Sequence, residues 1–387
     1  MFKELLLLIA AISSTTLAQS NVTCTKNAYP PPSKDKVPWF TINLDLPPEE
    51  RWKEVATNRK DQIRNLLDKF KEFVRDWGEF AGKVIDFVDS DLGNLDKTLP
   101  YPFAGEIRGM SKYSGLNLGE VVLFNIFYEF FTVCTSIVAE DPNGNFVHAR
   151  NLDFGLFIGW DVKNKTWEVT EALRPLVVNL DFQRGGKTVF KSVNFAGYIG
   201  ILTALKPGLF SLTMNERFNA DGGFIGIIKW LEGDRSEQWM GFLTRAVMEN
   251  ATSYAEAQFQ LANTTMLAPA YFILGGNTSG QGSVITRARE KALDVWEMSS
   301  IQEHPWYILE TNYDHWAKPL FLDDRRTPGN QCMEKLTRQN VRFAGIFDVL
   351  STIPVLNKLT AYTALMEVKT GRFESYLRYC EDPCFPW

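Results

Sequence analysis

Between residues 134 and 311 the chain repeats one pattern: two short, apolar, β-branched runs with a tight-turn signal between them. Asp141-Pro142-Asn143-Gly144 divides 134–140 from 145–153, Gln183-Arg184-Gly185-Gly186 divides 176–182 from 188–192, and Lys206-Pro207-Gly208 divides 198–205 from 209–215. Proline presets the turn dihedral and glycine accepts the positive one, so each pair reads as an antiparallel hairpin. Further strand-like runs cover 271–274, 283–286, 294–297 and 306–311. Helical spacing is confined to other stretches. Residues 49–89 carry a stripe of Ile63, Leu66, Leu67, Phe70, Phe73, Val74 and Trp77 at i, i+3, i+4, i+7. An apolar helix over 121–131 follows Asn117-Leu-Gly-Glu120, which has the form of a capping box. Helices are also expected at 234–249, 253–262 and 344–366. Strands run together, with helices grouped between and after them, which argues against alternating βαβ units. The pattern predicts an α+β fold in which helices cover sheets.

The N-terminus bears on the compartment. Lys3 precedes a run of leucine, isoleucine and alanine that ends in small residues near Ala18. A charge, a short apolar core and a small-residue exit predict a secretory signal peptide over 1–18, the alternative being a short membrane anchor. The run is too short to span a bilayer easily. Asn21, Asn164, Asn250, Asn263 and Asn277 each begin an N-x-[ST] sequon, and on an exported chain these are candidate glycosylation sites. A net charge of −5 is the wrong sign for a nucleic-acid partner. The 28 phenylalanines and 11 tryptophans imply large apolar contacts, in the core or on a lipid-handling surface.

Five cysteines in an oxidising compartment leave one over. Cys380 and Cys384 flank the turn-forming Glu-Asp-Pro, which suits a small local loop; Cys24 and Cys332 would then pair across most of the chain. Cys134 remains, as a buried inert thiol or as a nucleophile. A four-residue turn would set Arg150 opposite Thr135 and Asn151 opposite Cys134, bringing Arg150, Asn151 and Asp153 near the thiol. A cysteine nucleophile needs a base. The histidines are His148, His304 and His315, and only His148 lies in the hairpin. The other route is cleavage between Val133 and Cys134, which would give Cys134 a free α-amine to serve as its own base. The amine titrates near 7.7–8.0 and a thiol near 8.5, close enough to share a proton.

Several motifs carry a resemblance: Cys134-Thr-Ser-Ile-Val-Ala-Glu-Asp, His148-Ala-Arg-Asn-Leu-Asp-Phe-Gly155, Leu212-Thr-Met-Asn-Glu-Arg-Phe218, the segment 267–277, Thr311-Asn-Tyr-Asp-His-Trp316 and Asp323-Asp-Arg-Arg-Thr-Pro328. In this order they resemble the family shared by acid ceramidases and N-acylethanolamine-hydrolysing acid amidases, from about Cys24 to Trp387. The resemblance implies an N-terminal-nucleophile hydrolase with an αββα sandwich. It implies a lysosomal precursor that cuts itself into a mainly helical α-subunit, 19–133, and a catalytic β-subunit, 134–387, with a secreted form also expected. It implies that Cys134 is the nucleophile, that Arg150 and Asp153 position amine and substrate, that Asn312 donates to the oxyanion, and that Glu216 and Arg325 complete the site. It also implies the bridges Cys24–Cys332, which would tether the subunits, and Cys380–Cys384.

No cofactor or metal is implied. The substrate implied is a lipid amide, ceramide in first place and an N-acylethanolamine in second, with a saposin-type helper and an anionic membrane surface as partners. Leu156, Phe157, Ile158 and Trp160, together with the stripe at 63–77, are candidate lipid contacts. Each polar residue also has a plainer reading: Arg150–Asp153 and Glu216–Arg325 as structural ion pairs, Asn312 as a turn residue. A non-catalytic lipid-binding glycoprotein is the alternative of another class.

Overall fold

The computed structural model describes residues 22–75, 99–127, 132–154, 159–217, 226, 229–230 and 234–384. Its strands are β1 (Trp39–Asn43), β2 (Thr132–Glu140), β3 (Phe146–Phe154), β4 (Trp160–Asp161), β5 (Thr166–Trp167), β6 (Val177–Arg184), β7 (Lys187–Phe195), β8 (Thr203–Lys206), β9 (Phe210–Glu216), β10 (Ala270–Gly275), β11 (Gly282–Arg287), β12 (Ala292–Glu297), β13 (Tyr307–Glu310), β14 (Thr360–Glu367) and β15 (Arg372–Leu377). The helices are α1 (Lys53–Arg75), α2 (Phe103–Ser114), α3 (Leu118–Phe127), α4 (Glu168–Leu173), α5 (Met240–Asn250), α6 (Tyr254–Asn263), α7 (Arg326–Leu336) and α8 (Phe343–Leu350). None of the helices described is long and apolar enough to cross a membrane.

Two sheets form the centre. One runs β13-β2-β3-β14-β15 and the other β1-β6-β7-β8-β9-β10-β11-β12. They meet face to face through Val138 and Ile308 on one side and Tyr271, Ile273 and Val284 on the other, all buried. Helices α7 and α8 cover the outer face of the smaller sheet, with Met333, Ile346 and Phe347 packed on Ile137, Ala149 and Leu365. Helices α5 and α6 lie on the larger sheet. Burying each such side chain contributes roughly 1.5–3 kcal/mol, so apolar faces on both sides of each sheet hold the four layers together. The N-terminal helices join the same core: Trp52 meets Phe182 edge-on.

Local chemistry explains the element ends. Asn117 Oδ1 accepts from Glu120 N at 2.7 Å while Glu120 accepts from Asn117 N at 2.9 Å, so the capping box is reciprocal. Ser253 accepts from Glu256 N at the start of α6. Gly185 and Gly186 both have positive φ, 56° and 70°, as a two-residue hairpin between right-twisted strands requires.

Four expectations need correction. The turn after β2 holds five residues, closed by Asp141 N to Asn145 O at 2.9 Å and tightened by Asp141 Oδ1, which accepts from Asn143 N and Asn145 N. Glu140 therefore pairs with Phe146, and Arg150 pairs with Ser136 instead of Thr135. One residue of slip flips every side chain to the other face. Second, the helix expected over 344–366 ends at Leu350, and Thr360–Glu367 is strand β14. This strand is buried at every position but the last, so it shows no period of two. Third, β8 starts at Thr203 and α5 at Met240, both later than the spacing suggested. Fourth, Ile63, Leu66 and Leu67 are buried core residues, which removes that part of the stripe as a lipid contact. The side chains of Phe70, Phe73, Val74 and Trp77, and residues 155–158 with Leu156, Phe157 and Ile158, lie outside those described, as do 1–18 and Asn21. Trp160 is half-buried against Trp167.

Candidate active site

Cys134 lies near the start of β2 and is fully buried. Strand alternation sends Cys134, Ser136 and Val138 to the inner face between the sheets, and their partners Leu152, Arg150 and His148 on β3 point the same way. Arg150 Nη2 donates to Cys134 Sγ. Its Nη1 donates to Leu202 O at 2.8 Å, to Thr203 Oγ1 at 3.1 Å and to Met214 O at 3.1 Å. The guanidinium is therefore fixed by acceptors from the facing sheet, and a planar fork held this way cannot swing from the sulfur.

The outer face supplies a second arginine. Arg325, just ahead of α7, donates to Cys134 O at 2.6 Å and to Asn312 Oδ1 at 2.8 Å. Asp323 holds it from behind at 2.8 Å. Asn312 Oδ1 accepts from Cys134 N at 2.8 Å, and Asn312 Nδ2 donates to Glu216 O at 2.7 Å. Asp153 sits opposite Val133. Its carboxylate accepts from Thr360 at 2.6 Å, Asn357 at 3.1 Å and Arg325 at 3.4 Å. In the uncut chain the nitrogen of Cys134 is thus turned to Asn312, while Asp153 braces the arginine beside it.

The electrostatics follow from burial. Burial pushes the Cys134 thiol up to about 11, against the pull of Arg150 and Arg325. In the continuous chain burial therefore favours the protonated thiol. Asp153 is raised to about 6, again by burial, with Arg325, Thr360 and Asn357 opposing. Burial alone would lower Arg325, but the carboxylates of Asp323 and Asp153 reverse that and raise it. His148 is pushed down to about 3 by burial, with Arg150 adding to it. Its ring contacts Ser211 at 2.8 Å and Thr213 at 3.1 Å, so it is a neutral, hydroxyl-bound core residue. His304 stacks on Tyr307, and His315 stacks on Trp296 with its Nε2 at Asp294. No described contact ties any of the three rings to the sulfur.

The structure thus brings Cys134, Arg150, Asp153, Asn312 and Arg325 together, with Glu216 joined through its carbonyl. Asn151 is excluded: its amide donates to Leu350 O and Val355 O on the outer, helix-covered side. Sequence reasoning missed Asn357, Thr360 and Asp323, which hold Asp153 and Arg325. The only signal for the first two was a short Asn-x-x-Thr loop, in which Asn357 N donates to Thr360 Oγ1. Cys24 is joined to Cys332 and Cys380 to Cys384, and Cys134 is free. Asn164, Asn250, Asn263 and Asn277 are exposed. Among the described residues, no group of three or more His, Cys, Asp or Glu could hold a metal ion.

Residues 134–382 match the model of linear amide C–N hydrolases of the choloylglycine hydrolase family, a match that begins at Cys134 itself. Residues 35–99 match the model described as the beta subunit of N-acylethanolamine-hydrolysing acid amidase. The chain is 51% identical to the acid ceramidase of Homo sapiens, covering 99% of this chain and 98% of that protein. It is 52% identical to the acid ceramidase of Bos taurus, covering 94% and 92%. Among solved structures, a Caenorhabditis elegans N-acylethanolamine-hydrolysing acid amidase ortholog superposes with a TM-score of 0.53 at 31% identity, covering 64% of this chain and all of that one. The four-layer sandwich is that of the N-terminal-nucleophile hydrolases, and with likeness of this extent the chain belongs to the acid ceramidase group of the choloylglycine hydrolase family, amidohydrolases of linear C–N bonds.

Proposed function

We propose that the protein hydrolyses the amide of an N-acylsphingosine, ceramide, to sphingosine and a fatty acid. The observation that carries this reading is the 51% identity to acid ceramidases over nearly the whole of both chains. The domain limits proposed are 1–18 as signal peptide, 19–133 as α-subunit and 134–387 as β-subunit. In the precursor, Cys134 Sγ attacks the carbonyl carbon of Val133, the C–N bond breaks, and the nitrogen leaves as the α-amine of Cys134. Water then cleaves the thioester, leaving a carboxylate on Val133 and a thiol on Cys134. The nitrogen that would leave, Cys134 N, is already held by Asn312 Oδ1 at 2.8 Å, which supports a cut at that bond.

In turnover the freed amine takes the thiol proton as the sulfur attacks the substrate carbonyl. It gives that proton to the departing sphingosine nitrogen. Water, deprotonated by the same amine, releases the fatty acid. Arg150 favours the thiolate, and Asp153 holds Arg325 in place. Asn312, expected as the oxyanion donor, has its Nδ2 engaged by the Glu216 carbonyl, and in this reading it orients the amine through Oδ1 instead. Transition-state charge on the substrate oxygen falls to the donors around this buried site, where low dielectric strengthens each of them.

A lysosomal lumen, with a secreted form, suits the signal and the sequons. Ceramide stays in a bilayer, since each buried CH₂ is worth about 0.8 kcal/mol. An anionic membrane and a saposin-type helper are therefore proposed partners. Trp316, Leu320 and Phe321 support a lipid-facing surface: they are exposed, by 54%, 68% and 67%, on the chain segment between Asn312 and Arg325. The amidase subunit match favours N-acylethanolamines as a second reading. Processed protein is assayed at acidic pH with both amides, alongside Cys134→Ala. A preference for N-acylethanolamine refutes the ceramide assignment, and activity in the variant refutes the nucleophile.

A further inference from the structure

Three contacts of the Asn312 amide depend on which way it is turned. Oδ1 accepts from Cys134 N and Arg325, and Nδ2 donates to Glu216 O. The sheet does not hold it there, because β13 ends at Glu310. What lies beside it is a second, stronger link between the same two segments. Arg217, the residue after Glu216, donates to both oxygens of Asp314, two residues beyond Asn312, at 2.7 Å each. Tyr271 of β10 donates its hydroxyl to the same carboxylate at 2.7 Å. Bidentate, charge-assisted bonds of this kind fix angle as well as distance. The Arg217 and Asp314 side chains are 8% and 17% exposed, so solvent screening is weak. Burial would raise the Asp314 carboxyl, but the bonds from Arg217 and Tyr271 reverse that and hold it below the ordinary range. It therefore stays ionised in an acidic lumen. From the far side, Arg326 donates to Asp314 O at 3.1 Å.

We propose that Asp314, clamped by Arg217 and Tyr271, is a positioning residue that fixes the Asn312 amide with Oδ1 toward the Cys134 nitrogen and Nδ2 toward the Glu216 carbonyl. The inference rests on the reading of Cys134 as nucleophile. Displacing a catalytic group by about 1 Å costs on the order of 10²-fold in rate. Asp314→Asn keeps the size of the side chain but loses the charge, and Tyr271→Phe removes one bond.

The test uses the full-length precursor and the processed enzyme, with a fluorescent N-acylsphingosine as substrate and the autocleavage rate as second readout. Asp314→Asn should lower kcat by about 10²-fold with KM nearly unchanged. Tyr271→Phe should lower it less, with a melting temperature near that of the parent. The decisive variant is the double one. If Asp314 acts through Asn312, Asp314→Asn placed on Asn312→Ala adds less than about twofold. A full, multiplicative loss in the double variant overturns the clamp, as does unchanged kcat in both single clamp variants. Turnover that survives Cys134→Ala sinks the underlying nucleophile reading, and the clamp with it, whereas multiplicative losses with an inactive Cys134→Ala sink the clamp alone.

Discussion

Glu310 is fully buried between the sheets, one residue from the Thr311–Asn312 segment. Its Oε1 accepts from Thr311 N at 2.9 Å, and its Oε2 has no hydrogen-bond partner among the described residues. Burial pushes the carboxyl up to about 8, with Arg326 opposing. An unfolded glutamate titrates near 4.3. Below pH 4 both states hold the proton and stability is insensitive to it. Between about 4.3 and 8 the unfolded chain has lost the proton while the native chain keeps it, so stability falls as pH rises. Each unit is worth 1.36 kcal/mol, and the whole window is therefore worth on the order of 4–5 kcal/mol. Glu310→Gln keeps the shape and the acceptor for Thr311 but has no proton to lose. Melting temperatures of parent and variant, taken from pH 4.5 to 8, should coincide at the acid end and diverge toward pH 8, with the variant the more stable. Parallel curves across that range would falsify the reasoning.

Three further outcomes follow from the same geometry. Arg150→Gln removes the charged donor at the sulfur and strips acceptors on the facing sheet; a charged hydrogen bond is worth about 1.5–3 kcal/mol, so autocleavage followed on reducing gels should slow by at least tenfold, and a parental rate contradicts the role given to Arg150. Cys24→Ser should let the two pieces of the processed protein part on a non-reducing denaturing gel, yet keep them together on native gel filtration. There Glu106 stays buried against Arg51 at 3.0 Å, Trp52 at 2.7 Å and Arg245 at 3.2 Å. Gly109→Ala puts a Cβ 2.2 Å from the Glu49 carbonyl oxygen, a backbone neighbour that cannot rotate away; destabilisation of about 1–3 kcal/mol, read as a lower melting temperature, is expected, and an unchanged one speaks against the packing.

What the sequence disclosed and what it hid divide along a physical line. Caps, tight turns and hairpins are local, so Asn117–Glu120 and Gly185–Gly186 were legible from a few residues each. The hairpin at Cys134 was legible as a hairpin but not in register, because Asp141 takes two backbone donors into its own side chain and lengthens the turn by one residue. That single residue decides whether Arg150 or Asn151 faces the sulfur, and only the resemblance, not the spacing, favoured Arg150. Strand β14 was hidden for the opposite reason: with both faces covered, its threonines included, it has no alternation to read. The groups that hold the site are harder still. Asn357 and Thr360 reach Asp153 across about two hundred positions of chain. No periodicity encodes such contacts. They exist because β3 and β14 are neighbours and α7 begins at Arg326, beside Arg325, so the support of the site is a property of the sandwich, while the chemistry proposed for it needs one residue and its own backbone nitrogen.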